Sequence, residues 1–97
     1  MVDVVQHRQQ GVGGEFFIER GGVRVAELTY RRRDSSTILV DHTQVDVSLR
    51  GGGVARQLLD AAVAWARQSN LKIDATCSYV VAQFARDKSL RDVSALS

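Results

Sequence analysis

Polar and apolar positions fall into two regimes along this chain, and the change comes at Gly51–Gly53. On the N-terminal side, apolar residues arrive in short aromatic and β-branched bursts. Glu15 to Arg20 carries Phe16, Phe17 and Ile18, and Val23 to Arg31 is rich in Val, Leu, Thr and Tyr. Gly21-Gly22 between them predicts a hairpin, because glycine reaches positive φ without steric cost. Asp34-Ser35-Ser36 is turn chemistry, and Thr37 to Leu49 resumes as a long strand. Strand alternation sets Ile38, Val40 and His42 on one face of it. Leu39, Asp41, Thr43, Val45 and Val47 fall on the other. Met1 to His7 adds a short leading strand.

From Val54 the period becomes helical. Val54 to Ser69 consists mainly of strong helix formers. Ala55, Leu58, Leu59, Ala62 and Ala66 form an apolar stripe, with Arg56, Asp60 and Arg67 turned away. Asn70 suits the left-handed residue that ends a helix. Leu71 to Thr76 alternates strictly, as a strand with one covered face does. Ser78 is placed to cap a last helix, Tyr79 to Arg86. The polar tail from Asp87 onward gives no clear element.

Strands followed by helix, strand and helix predict an α/β fold with a mixed (α+β) sheet. Its antiparallel N-terminal strands are followed by a β-α-β-α unit with a right-handed crossover. The 97 residues suit a single domain over residues 1–97. So thin a core would gain from a homodimer.

Composition removes several function classes. Thirteen Lys and Arg against eleven Asp and Glu leave a formal charge of +2, too weak for an expected nucleic-acid partner. No apolar run reaches the roughly 18 residues that span a bilayer, so no membrane partner is expected. Met1 to Gln10 lacks the layout of a secretory signal, and one cysteine allows neither an internal disulfide nor a cysteine-rich metal site. A cytoplasmic location and no metal are the expectation.

Leu49-Arg50-Gly51-Gly52-Gly53-Val54-Ala55 carries the clearest chemistry. A strand ends, glycines turn the backbone, and a helix opens with unpaired N–H groups that favour an anion, phosphate above all. Arg50 adds positive charge. The plain alternative is a glycine connection that only permits a sharp turn. No Lys-Ser or Lys-Thr follows, so this is not a nucleoside-triphosphate loop. Arg56 occupies the place where a dinucleotide fingerprint needs its last glycine.

The stretch resembles the coenzyme-A pyrophosphate loop of the GCN5-related N-acetyltransferases (GNAT). Their pattern, Arg/Gln-x-x-Gly-x-Gly/Ala, fits at Arg50, Gly53 and Ala55. The chain is further similar to minimal GNAT-like enzymes of about a hundred residues. Their blocks occur in order: Phe17-Ile18-Glu19, Ala26 to Tyr30, His42 to Val45, Leu49 to Ala55, and Leu71-Lys72-Ile73 leading into Thr76 to Val80. Two segments depart from the pattern. Asp46-Val47 stands where relatives carry Pro-Glu, and Lys88-Ser89-Leu90 where they carry Pro-Glu-Tyr.

The resemblance implies a compact GNAT-like fold that binds acetyl-CoA as cosubstrate and acetylates an unidentified amine. Pantetheine would lie along Val45, Val47 and Leu49. Pyrophosphate would sit on the amides of Gly51, Gly52, Gly53, Val54 and Ala55, with Arg50 and Arg56 adding charge. Ser78 and Tyr79 would complete the cofactor contacts. It also sets Cys77 near the coenzyme-A thiol and His42 beside Cys77.

Two mechanisms follow. His42 as base lets the amine attack the thioester directly. Alternatively Cys77, at a helix N-terminus that favours a thiolate, takes the acetyl group first with His42 assisting. For each residue a plain reading stands beside the chemical one: a buried inert cysteine, a sheet-surface histidine, a packing Tyr79. Arg31-Arg32-Arg33 reads as a solvated strand end, or as charge for an acidic substrate or the 3′-phosphate of coenzyme A. Trp65 reads as packing, His7 as an exposed strand residue, and Glu27 as an exposed hairpin position rather than a base. A coenzyme-A-binding module without turnover is the alternative function.

Overall fold

The computed structural model of the chain describes residues 4–96. Strands β1 (Gln6–Gln10), β2 (Gly13–Arg20), β3 (Val23–Arg32) and β4 (Thr37–Val45) form an antiparallel meander. Helix α1 (Val54–Gln68) then crosses over to β5 (Lys72–Ala75), which pairs parallel to β4, and helix α2 (Ser78–Arg86) follows. The sheet order is therefore the chain order, β1 to β5.

The Gly21-Gly22 hairpin forms as expected, with φ of 57° and 80°. The leading strand lies later than the sequence suggests: β1 is all polar, so no periodicity announces it. The Met1 to Asp3 part of the expected strand lies outside the described residues.

Apolar side chains of one sheet face meet α1. Phe16, Ile18, Ala26, Leu28, Tyr30, Ile38, Val40, Ile73 and Ala75 pack with Val54, Leu58, Leu59, Ala62, Val63 and Ala66. Each fully buried Leu or Ile contributes about 1.5–3 kcal/mol. Asn70 closes the crossover helix at φ 55°, as its short polar side chain allows. Val80 of α2 joins the same core. So do Leu90 and Val93, from a 3₁₀ turn at Lys88–Val93 that the polar tail concealed.

The long strand ends sooner than its sequence implies. β4 stops at Val45, and Val47–Leu49 is a 3₁₀ turn. The Asp46 carboxylate accepts from the Ser48 amide at 3.0 Å and caps this turn. Those bonds, the amide first, hold the Asp46 carboxyl below the ordinary range.

β4 also carries a bulge. Tyr30 opposes Val40 while Thr29 opposes His42, so Asp41 is the extra residue. Residues beyond it change face. Thr43 and Val45 join Val40 on the helix side, opposite the core residues Leu28 and Ala26. His42 and Gln44 turn to the other face, opposite Thr29 and Glu27.

Candidate active site

The Asp41 bulge coincides with a fork in the sheet. β4 and β5 pair only from Thr37–Lys72 to Val40–Ala75. At the fork, the Val40 carbonyl accepts from the amides of Thr76 (3.0 Å) and Cys77 (3.4 Å). Past this point β4 has β3 on one side and an open edge on the other. The Asp46 amide donates to Val25 at 2.8 Å. By the two-residue alternation of an antiparallel ladder, Gln44 and His42 also bond to β3. The amides and carbonyls of Thr43 and Val45 consequently face the open edge. Arg50 takes up one of them, donating from Nε to the Val45 carbonyl at 3.3 Å.

The glycine turn sits at the mouth of this edge. Gly51 (φ 86°) and Gly53 (φ 78°) adopt left-handed backbone that a side chain would strain. A Cβ at either would meet nothing within 4 Å, so the space above the turn is open. The first bond of α1 runs from the Gln57 amide to the Gly53 carbonyl at 3.1 Å. Val54, Ala55 and Arg56 therefore present amides with no intrahelical acceptor, and Gly53 caps the helix without a side chain. These donors suit a phosphate. Gly52 does not add to them, since its amide donates to the Leu49 carbonyl at 3.3 Å.

A cavity of about 270 Å³ lies between the turn and α2. It is lined by Val45, Leu49, Arg50, Gly51, Gly53, Val54, Ala55, Arg56 and Tyr79, all residues singled out from the sequence. Three others singled out with them lie elsewhere. Val47 is 74% exposed on its 3₁₀ turn, while Gly52 and Ser78 are exposed outside the cavity. Ser78 is also not the cap of α2: that position belongs to Cys77.

Arg56 has another employment. Its guanidinium bonds Asp60 (2.8 Å), Gln83 (2.8 Å) and Asp87 (2.5 Å), clamping α1 to α2. Those carboxylates raise its already high pKa further, Asp60 first. Arg50 thus remains the more available cation at the cavity. Half-buried Tyr79 has its phenol pushed up, chiefly by desolvation, and holds its proton at neutral pH.

The two expected catalytic residues are not brought together. Half-buried Cys77 donates from Sγ to Thr43 Oγ1 at 3.3 Å, on the helix side of the fork. His42 is on the opposite face, with Nε2 3.3 Å from Gln44 Oε1 and 3.6 Å from Glu27 Oε2. Expected parity set His42 beside Val40; the Asp41 bulge reverses it. Thr43 is a residue that sequence reasoning passed over, and Glu27 one that it set aside as an exposed hairpin position, whereas its side chain is 28% exposed. Thr43 read as ordinary strand, and Glu27 gained a partner only through the register that the bulge creates. Among the described residues, no group of three or more His, Cys, Asp or Glu is gathered to hold a metal. None of their helices is long and apolar enough to cross a membrane.

Likeness to known proteins matches this architecture. No curated protein matches the chain. An NMR structure of a candidate GCN5-like N-acetyltransferase from Staphylococcus aureus is 36% identical, with a TM-score of 0.75 over 95% of this chain and 89% of that one. A GNAT-family acetyltransferase from Elizabethkingia anophelis with acetyl-CoA bound shares the fold. It is 14% identical, with a TM-score of 0.62 over 77% of this chain and 52% of that one. The aminoglycoside N-acetyltransferase AAC(6')-Iy in complex with CoA is 18% identical, with a TM-score of 0.61 over 84% and 68%. The family model of the GCN5-related N-acetyltransferases covers residues 15–93. With most of its length matched in this way, the chain belongs to the GCN5-related N-acetyltransferase family.

Proposed function

We propose that the cavity and the open edge of β4 hold acetyl-CoA, and that an amine reaches the thioester from the helix-free side of the fork. The observation that carries this reading is continuity. Unpaired helix amides at Val54 to Arg56, the outward amides and carbonyls of Val45 and Thr43, and the fork at Val40 follow one another along one path. A ligand with a pyrophosphate at one end and an amide-bearing arm fits such a path. Pyrophosphate binds the helix amides with Arg50, and the arm pairs with the β4 edge as an added strand would. Coenzyme A supplies the activated acetyl group as a thioester.

The protein residues then do three things. The fork lets a nucleophile approach from the face that His42 occupies. His42 takes the proton that the amine nitrogen loses as its lone pair forms the new C–N bond. The C–S bond breaks, and the departing sulfur takes a proton, for which the protonated Tyr79 phenol on the cavity wall is a source. The amide and the free thiol are the products. Cys77 lies on the helix side of the fork without His42, which favours direct transfer over an acetyl-cysteine route. The homodimer belongs to the same reading and is tested by the mass in solution from light scattering.

The test is calorimetric titration with acetyl-CoA, wild type against Gly53→Glu, with intact mass spectrometry on the same sample. Saturable binding that the variant loses is expected, without a persistent adduct on Cys77. An acetyl adduct of about +42 Da that forms and decays at the turnover rate would establish the covalent route. No wild-type binding at high ligand concentration would sink the reading.

A further inference from the structure

We propose that Glu27 is a positioning residue for the transfer reaction, acting through His42. The inference rests on the reading of His42 as base but concerns a contact that exists without ligand. On the helix-free face of the sheet, Glu27 of β3 lies diagonally beside His42 of β4, across from Gln44. His42 Nε2 is 3.6 Å from Glu27 Oε2 and 3.3 Å from Gln44 Oε1. Both neighbours offer oxygen to the same ring nitrogen. An imidazole between them carries its proton on Nε2, which leaves the lone pair on Nδ1.

That arrangement gives Glu27 two tasks. Before reaction it fixes ring orientation and tautomer, so that Nδ1 is the nitrogen ready to accept the amine proton. After proton transfer it faces an imidazolium with a carboxylate, and favours the charged state that the step creates. Gln44 can share the first task; only Glu27 has the charge for the second.

The setting suits this role. Glu27 is half-buried, with a side chain 28% exposed, whereas His42 is 48% exposed and open to an incoming amine. Arg24 reaches Glu27 at 3.5 Å, but its short bonds of 2.7 and 3.0 Å go to Glu15. Glu27 is therefore held in place while its other oxygen faces the imidazole. Charged groups on this face near His42 include Glu27, Arg24 and Arg31 of β3, Glu15 of β2, Asp41 of β4, and Asp46, which lines a cavity with Arg24, Glu27 and Gln44. Asp41 accepts from the Thr29 hydroxyl at 2.7 Å.

Four proteins form the kinetic test: wild type, Glu27→Gln, His42→Gln and the double variant. In Glu27→Gln, kcat should fall about tenfold or more with KM for acetyl-CoA unchanged, the pattern of an interaction made only as the base takes its proton. In the His42→Gln background the same change should cost nothing further. Multiplying losses in the double variant would overturn the proposal. Ring ¹⁵N shifts of His42 give a readout independent of turnover. In a Gln44→Leu background, where no second oxygen shares the ring, His42 should keep the Nε2–H tautomer, and adding Glu27→Leu should give a mixture. A tautomer unchanged by adding Glu27→Leu would overturn the proposal even where turnover falls. Should no amine be acetylated, the reading of His42 as base fails, while the ring shifts still decide whether Glu27 orients it.

Discussion

The Cys77 thiol and the Thr43 hydroxyl meet at 3.3 Å where β4 and β5 part. One sits at the N-cap of α2 and the other just past the bulge in β4, so the contact ties the helix to the open strand edge. A hydroxyl can turn its own proton toward sulfur once the thiol ionises. In Thr43→Val the shape is kept and that donor lost. Iodoacetamide labelling of Cys77 at fixed pH should slow roughly fivefold, the worth of about 1 kcal/mol for one hydrogen bond. Acetyl-CoA should protect Cys77 in both proteins. Equal labelling rates would show that the hydroxyl leaves the sulfur's reactivity untouched.

Tyr30 and Gly14 make a second, purely structural pair. A Cβ on Gly14 would lie 2.3 Å from the Tyr30 hydroxyl oxygen and 2.4 Å from Cζ. Tyr30 is only 4% exposed, and its hydroxyl is 2.6 Å from His7 Nε2. The ring cannot swing into solvent without opening that cluster. Gly14→Ala should therefore cost about 1–3 kcal/mol, as overpacked cores do. For a chain of this length each kcal/mol lowers Tm by about 4–8 °C. Gly52→Ala, whose Cβ would find its nearest atom at 3.4 Å, should melt close to wild type. A Gly14→Ala protein as stable as Gly52→Ala would show that Tyr30 moves freely.

Period and glycine placement made most of this fold legible. The Gly21-Gly22 hairpin, the crossover helix, the strand after it and the glycine turn all follow from local pattern. What hid the facing of the site residues has one origin. A single inserted residue, Asp41, leaves the apolar alternation of β4 looking continuous, yet inverts every side chain after it. Val47 and Leu49 prolong the illusion, because apolar residues in a capped 3₁₀ turn resemble a strand's end. The glycine turn and the unpaired helix amides that follow it were thus readable from residues 50–55. The sides on which His42, Thr43 and Cys77 stand were not, since facing depends on register.

Arg56 predicts where the protein opens first. Its bonds to Gln83 and Asp87 dock α2 against α1, and Asp87 in turn caps the 3₁₀ turn at Lys88–Val93 by accepting from the Ser89 amide at 2.9 Å. The Ser89 hydroxyl, then Arg56, hold the Asp87 carboxyl down at about 2. A carboxylate with a lowered native pKa stabilises the fold above its unfolded value, near 3.9. That stabilisation is lost as pH falls from about 4 through 2. Hydrogen exchange should show α2 and the turn losing protection in this window, ahead of β2 and β3. Asp87→Asn should lack the acid-dependent part, and Arg56→Lys should lower protection of α2 at neutral pH, because an ammonium cannot span three partners. Uniform loss across the sheet in either variant would show that the clamp is not a local latch.

His7 gives the opposite edge of the sheet its own acid response. Its ring stacks on Phe16 at 4.0 Å between centroids and stands edge-on to Trp65 at 4.7 Å. Partial desolvation against these rings lowers the pKa of this otherwise exposed side chain below the ordinary histidine value, because charge is disfavoured where neighbours displace water. The unfolded chain therefore takes up its proton first as pH falls. Stability is full above about 6.5, the unfolded value, and declines as pH falls through it toward the lowered native midpoint. Trp65 is the sole tryptophan, and a protonated ring against its edge should quench it. Wild type should lose both Tm and Trp65 emission on acidification between about pH 7 and 5. His7→Phe keeps an aromatic ring at the stack but cannot titrate, so both signals should stay level across that range. A wild-type Tm that is flat there, or an equal decline in His7→Phe, would show that the imidazole ring does no more than pack.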